Sequence, residues 1–299
     1  MFQSITQNKW KTVFIVFLVT LFLIAVVYFV AYYFAGLGMI AIPIAVIFAF
    51  VTSWVSYYYS DRIILSICSA RPADQKQDRQ VRDAMEGICI AAGLPMPRVY
   101  IMEDKSANAF ATGRDPWNAV VCVTTGLLEQ LDYYELEAVL AHELAHIGNR
   151  DILLSTVVSV MVGITVILSD IVRRTLFFGG RGRGGRGGGH PAVMIIGLIF
   201  VILAPIAGMI MKMALSRNRE YLADATAVQF TRNPAGMEGA LRKLSGQTQP
   251  LEKASQATCN MFIVNPFDNQ GFEAGQMFKG LFSTHPPINK RIKAIQNLQ

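Results

Sequence analysis

A chain of 299 residues that is 53% hydrophobic and only 16% charged, with a mean hydropathy of +0.37, departs from the soluble average of about 25% charged residues and has the composition of a membrane protein. Its net charge of +6 comes from basic residues that are scattered or flank apolar runs, with no basic-aromatic patch of the kind that reads nucleic acid, so no nucleic-acid partner is expected. Four cysteines, Cys68, Cys89, Cys122 and Cys259, form no C-x-x-C pair, which argues against a disulfide framework or a cysteine zinc site and leaves free thiols in a reducing compartment.

Between Thr12 and Ser60 lie 49 consecutive uncharged positions, interrupted only by Gly36-Leu37-Gly38 and Pro43. A membrane-spanning helix needs about 20 apolar residues, so this run predicts two spans, 12–34 and 39–59, joined by a very short turn. Lys9 and Lys11 before the first span and Arg62 after the second set both ends in the cytoplasm and the turn outside. A cleavable signal peptide would carry an apolar region of only about 7 to 15 residues, much shorter than this one. The lipid bilayer is thus an expected partner.

Residues 62–131 change character, with mixed charges and the proline punctuation of Leu94-Pro95-Met96-Pro97. Helical spacing runs over 74–92, a strand is expected at 98–102 and a better one at 119–125, and the segment 108–113 between them reads as a further strand or its turn. A helix over 132–150 follows. It carries His142-Glu143-Leu144-Ala145-His146, an H-E-x-x-H pattern. Residues four apart share a helix face, so His142 and His146 can offer two imidazoles to one metal ion while Glu143 stands beside them to handle a proton. Catalytic zinc usually takes three protein ligands and keeps one position for water, so a third ligand must come from elsewhere.

Beyond Asp151, two uncharged runs, 152–169 and 191–211, are each long enough for a span. Residues 179–189 between them hold eight glycines and three arginines and read as a solvated, disordered connector. If both runs span, five arginines (Arg173, Arg174, Arg181, Arg183, Arg186) lie outside, against the positive-inside tendency. Should residues past 211 complete the metal site, the crossings between them and His146 must be even in number. From Lys212 the chain is polar again and mostly helical in pattern, over 213–231, 236–244 and 289–298.

The search for the third ligand starts with histidine. A metzincin would place it at position 152, which is Ile152, with Asn149 where its glycine belongs. His190 ends the glycine-arginine connector and reads as a loop residue. His285, in Ser283-Thr284-His285-Pro286-Pro287, is a turn histidine or a functional one. Glu220 and Asp224 are four apart and share a helix face, where one carboxylate can bind zinc while the other accepts a hydrogen bond from a ligand histidine. The alternative is a surface salt-bridge ladder with Arg217 and Arg219.

Taken together, His142-Glu143-Leu144-Ala145-His146, then Arg217-x-Arg219-Glu220-Tyr221-Leu222-Ala223-Asp224-Ala225, and the closing Thr284-His285-Pro286-Pro287 resemble the HtpX-type membrane zinc metalloproteases of peptidase family M48. The likeness extends over nearly the whole chain, the glycine-arginine insertion being the departure. It implies a mostly α membrane protein with a small α+β zincin-type, gluzincin-like catalytic domain and about four hydrophobic membrane segments. It implies Glu220 as third ligand to one Zn2+ per chain and a catalytic domain facing the cytoplasm from the bacterial inner membrane. Unfolded or membrane polypeptides would be the substrates, in protein quality control.

On this reading residues 1–61 form a transmembrane hairpin, 62–151 and 212–299 the two parts of the catalytic domain, and 152–211 the second hydrophobic pair. Glu143 is the general base, Asp224 orients a ligand histidine, and His285 is a candidate donor to the oxyanion of the transition state. An exposed strand edge, 119–125 or 108–112, would pair with the substrate. A non-catalytic zinc adaptor or chaperone is the alternative function, but a structural site has no use for a base at Glu143. A metal transporter would carry ionisable residues within its spans, which these runs lack apart from Asp170 at one edge.

Overall fold

The computed structural model describes residues 2–33, 36–156, 159, 218–246, 261–263 and 286–298. The expected second hydrophobic pair, beyond its first residues, lies outside these, as do the glycine-arginine connector, Cys259, His190 and His285.

Two long helices, α1 (Phe2–Tyr33) and α2 (Ala41–Ile67), form the N-terminal hairpin. Small residues every fourth position, Ala41, Ala45 and Ala49, are fully buried along one face of α2 and let α1 approach closely, while Thr20 and Ser53 hydrogen-bond between the two at 2.8 Å. Of the described helices, one, Gly38–Ile67, is long and apolar enough to cross a membrane. Helix α2 runs without a break past position 61, so its last turns enter the polar half of the molecule.

There a four-stranded sheet forms from β1 (Arg71–Pro72), β2 (Arg98–Met102), β3 (Ala109–Gly113) and β4 (Ala119–Thr124), in the order β1-β2-β4-β3. The pair β2–β4 is parallel, and β1–β2 and β3–β4 are antiparallel. Successive side chains alternate between faces. Val99, Ile101, Ala109, Ala111, Val121 and Val123 join one core with α3 (Arg79–Ala92) and α5 (Tyr133–Gly148). Met102, Phe110, Val120 and Cys122 join a second core with Ile64, Leu65 and Cys68 at the end of α2 and with Met261 and Phe262. The sheet is thus covered on both sides, which is why β4 reads as a continuous apolar run rather than an alternation.

Short α4 (Thr125–Gln130) leads to α5, residues 151–156 are helical again, and then come α6 (Asn218–Thr231), α7 (Pro234–Ser245) and α8 (Ile288–Gln296). These three pack on one another, and α6 and α7 also pack on α5. Within the described residues the expected helices and strands are present, with their ends shifted. The largest shifts are at α1, which starts at Phe2 rather than 12, at α2, which runs to Ile67 rather than 59, and at α3, which starts at Arg79 rather than 74 behind turns at 75–78. The strand expected at 119–125 is the interior β4, not an edge. The edge role falls to β3, because strand order depends on which partners pair across the sheet and not on local β-propensity.

Candidate metal centre

Helix α5 starts at Asp132, whose side chain accepts from the Glu135 amide at 3.0 Å while Glu135 Oε2 accepts from the Asp132 amide at 2.9 Å, a reciprocal capping box. Glu135 also accepts from Lys243 of α7 at 2.6 Å. With its start fixed and Leu136, Val139, Leu140, Leu144 and Ile147 buried, α5 holds His142, Glu143 and His146 in register.

Packing of α6 on α5 brings Glu220 and Asp224 to the histidines. Nδ1 of His142 is 2.9 Å from Asp224 Oδ1, and Nδ1 of His146 is 3.3 Å from Asp151 Oδ2. A carboxylate at Nδ1 makes that nitrogen the donor and leaves Nε2 with its lone pair exposed. The two Nε2 atoms lie 3.2 Å apart, at 3.7 and 3.8 Å from the Glu220 carboxylate. In that tautomer three acceptor groups converge, their ligand atoms within 4.8 Å of one another, and an acceptor-only cluster at this depth is stabilised by a shared cation. The donor set, two imidazoles and one carboxylate, suits a divalent metal of the zinc type.

Glu220, Asp224 and His142 are each 1% exposed, so the two acids are not part of a surface ladder. Burial opposes a charge on His142, but hydrogen bonds that its ring donates to the Asp224 and Glu220 carboxylates outweigh it and raise its pKa to about 9. A divalent cation binding here competes with that proton. Asp224 is likewise held ionised: burial would raise its pKa, and the facing Arg291 guanidinium lowers it to about 2.

Glu143 is 2% exposed and lines a cavity of about 20 Å³ with Ala111, His146, Ile152, Ser155, Arg219, Glu220 and Met261. That volume admits one water molecule. Ala111 lies on the edge strand β3. Asn108 O accepts from the Thr124 amide in β4, whereas Ala109 O accepts from the Ile263 amide on the opposite side. Alternation along an antiparallel strand therefore turns the N–H and C=O of Ala111 away from β4, toward the edge beside Glu143.

Asp151 and Arg291 near the site were not singled out by motif, and Arg219 was read only within its motif and as a possible ladder member. Asp151 sits five positions after His146, beyond the end of α5. Arg219, within the Arg217-x-Arg219-Glu220 stretch, places Nε 3.6 Å from Glu220 Oε1 and donates from Nη1 to Ser155 at 3.2 Å. Arg291 of α8 is wholly buried and donates twice to Asp224 and once to Ile263 O. Its signal was a charge on an apolar helix face, between Ile288, Ile292 and Ile295. His285 lies outside the described residues.

The sequence model of peptidase family M48 matches residues 75–299. A protease HtpX homolog from Thermoanaerobacter pseudethanolicus is 42% identical over 301 residues, covering 100% of this chain and 98% of that protein. A protease HtpX homolog from Listeria monocytogenes is 42% identical over 316 residues with both chains fully covered. Among solved structures, S. mikatae Ste24p aligns with a TM-score of 0.51 at 16% identity, covering 99% of this chain and 67% of that one, a likeness of fold.

Proposed function

The chain belongs to peptidase family M48 and is a metalloprotease, and on that premise we propose that it is a membrane-anchored zinc endopeptidase with one metal per chain held by His142, His146 and Glu220. The observation that carries this reading is the convergence of both Nε2 atoms and the Glu220 carboxylate at one buried point beside Glu143. Zinc bound there supplies Lewis acidity toward water and toward the scissile carbonyl.

The remaining steps belong to the protein. Glu143 accepts a proton from the attacking water and delivers it to the leaving amine, so one water is consumed per peptide bond broken and the carboxylate is restored. Asp224 and Asp151 hold the two imidazoles by their Nδ1 edges and fix their orientation. The outward N–H and C=O of Ala111 pair with an extended substrate segment, a β-augmentation that delivers a peptide bond to Glu143. His285 is assigned to stabilising the transition-state oxyanion.

Polypeptides are the substrates. Unfolded or membrane proteins are the class we assign, because α2 passes directly from its apolar span into the core behind β3 and keeps the site close to the bilayer. The charges at Lys9, Lys11 and Arg62 support a catalytic domain on the cytoplasmic side of a bacterial inner membrane, acting in quality control.

The decisive experiment is Glu143→Gln in the purified full-length protein. It is expected to keep one zinc per chain and to lose about 10²- to 10⁴-fold in cleavage of an unfolded protein. Cleavage at the original rate by the zinc-loaded variant would overturn the assignment.

A further inference from the structure

A second cavity, of about 730 Å³, lies outside the metal centre, between the hairpin and the catalytic half. From α1 it is lined by Val13, Val16, Phe17 and Thr20, and from α2 by Phe50, Ser53 and Tyr57. These positions follow helical spacing and extend over about 10 Å along each helix axis, less than the thickness of one leaflet. At the Tyr57 end the lining becomes polar, with Arg114, Asp115 and Arg150. Apolar depth with cationic groups at one end is the complement of an amphiphile whose headgroup is anionic.

The charges at that end do not cancel. Asp115 oxygens are taken by the amides of Trp117 and Asn118 and by the Asn118 side chain, and Arg114 approaches Asp115 at 3.4 Å while lying over the Tyr58 ring. The Arg150 guanidinium has no carboxylate partner among the described residues, so one uncompensated cation faces the groove. Trp54, Tyr57, Tyr58 and Tyr59 cluster at the same level of α2, with Arg62 over Tyr59, the aromatic collar expected where a helix leaves the hydrocarbon. The polar end of the cavity therefore lies at headgroup depth.

We propose that this cavity is a binding site for an anionic glycerophospholipid of the leaflet facing the catalytic domain, with its phosphate between Arg114 and Arg150 and one acyl chain along Val13, Phe17 and Phe50. The inference rests on the hairpin being membrane-embedded, not on the assignment of the metal ligands. The segment from Arg150 onward serves both cavities: Arg150 and Leu153 face the groove, and Ile152 and Ser155 face the metal site. A lipid bound here anchors the start of that segment to the membrane surface.

The test is lipid retention by the full-length protein in detergent, measured by native mass spectrometry after exchange with equal phosphatidylglycerol and phosphatidylcholine. Wild type is expected to retain the anionic lipid about fivefold more, the preference one basic residue confers near a headgroup. Arg150→Gln is expected to bring the two lipids close to parity, and Val16→Trp, which fills the groove and leaves the charges, to lower retention of both. Far-UV circular dichroism and a thermal midpoint equal to wild type establish that both variants fold, and flotation with vesicles checks membrane insertion separately. Equal retention of the two lipids by wild type, or an unchanged preference in Arg150→Gln, would overturn the proposal. So would an uncharged apolar helical peptide that displaces the lipid and binds Arg150→Gln as well as wild type, since the cavity would then hold polypeptide.

Discussion

Arg291 grips Asp224 through two hydrogen bonds, Nη2 to Oδ1 at 2.6 Å and Nε to Oδ2 at 2.8 Å, with neither side chain more than 2% exposed. The C-terminal helix α8 thereby fixes the carboxylate that lies 2.9 Å from His142 Nδ1. Removing one partner of a buried pair leaves an uncompensated charge and costs about 3–5 kcal/mol. Arg291→Met is therefore expected to lower stability by that order and to weaken metal retention. Arg291→Lys is expected to recover part of the stability but not the two-pronged grip. Denaturant unfolding and competition with a chelator measure the two effects.

The two histidines have separate carboxylate supports, which predicts a graded response. Asp224→Asn and Asp151→Asn should each lower metal affinity by about 10- to 100-fold, the usual effect of removing the group behind a ligand histidine. Asp224→Asn should do the greater damage because it also strands Arg291. Equal affinity in wild type and Asp151→Asn would show that the 3.3 Å contact to His146 has no orienting role.

Metal removal should stop proteolysis without unfolding the domain. Helix α5 is held by its capping box and by Leu136, Val139, Leu140, Leu144 and Ile147 in the main apolar core, none of which depends on the ion. The far-UV circular dichroism of the chelated protein should match that of the loaded one, with a Tm lowered only by the mass-action contribution of the lost ligand. Activity should return on adding zinc. Loss of the helical signal on chelation would make the site structural.

Two glycines separate close packing from open space. A Cβ at Gly126 would fall against the backbone carbonyl of Lys105, in the loop that leads to β3, whereas one at Gly87 on α3 meets nothing. Gly126→Ala is expected to destabilise by about 1–3 kcal/mol. Gly87→Ala is expected to stabilise by about 0.5–1 kcal/mol through helix propensity. Denaturant midpoints of the two variants check the contrast.

Acid stability should depend on Asp78. The hydrogen bond from Arg71, joined by the Asp74 amide, holds its carboxyl below the ordinary aspartate range despite partial burial. A depressed folded pKa contributes stability that is fully present above the ordinary carboxylate pKa and is lost as pH falls through the folded value. Asp78→Asn should therefore lower stability at neutral pH and flatten its decline in acid, read from denaturant midpoints across that range.

Much of the site was legible locally because its chemistry is spaced by a helix. His142, Glu143 and His146 need only α5 to share a face, and Glu220 with Asp224 need only α6. The N-terminal pair of helices was legible for a similar reason, since apolar length is itself the signal, and among the described helices Gly38–Ile67 is long and apolar enough to cross a membrane. The strands β2 and β4 announced themselves by composition, whereas 108–113 left strand and turn open until β3 formed there.

Tertiary structure decided what these pieces meet. That α6 turns its acids onto the α5 histidines follows from packing across a long stretch of chain, and no periodicity specifies it. Asp151 reaches His146 only because α5 ends at Gly148 and the chain turns at Asn149 and Arg150, and Arg291 reaches Asp224 only because α8 buries its apolar face against α6 and α7. Strand order made β4, the more β-prone sequence, an interior strand and left Ala111 of β3 at the edge beside Glu143. Residue spacing along one helix or strand is a local geometric property that the sequence determines by itself. The choice of partner is a sum of many weak long-range contacts, and only the folded chain evaluates that sum.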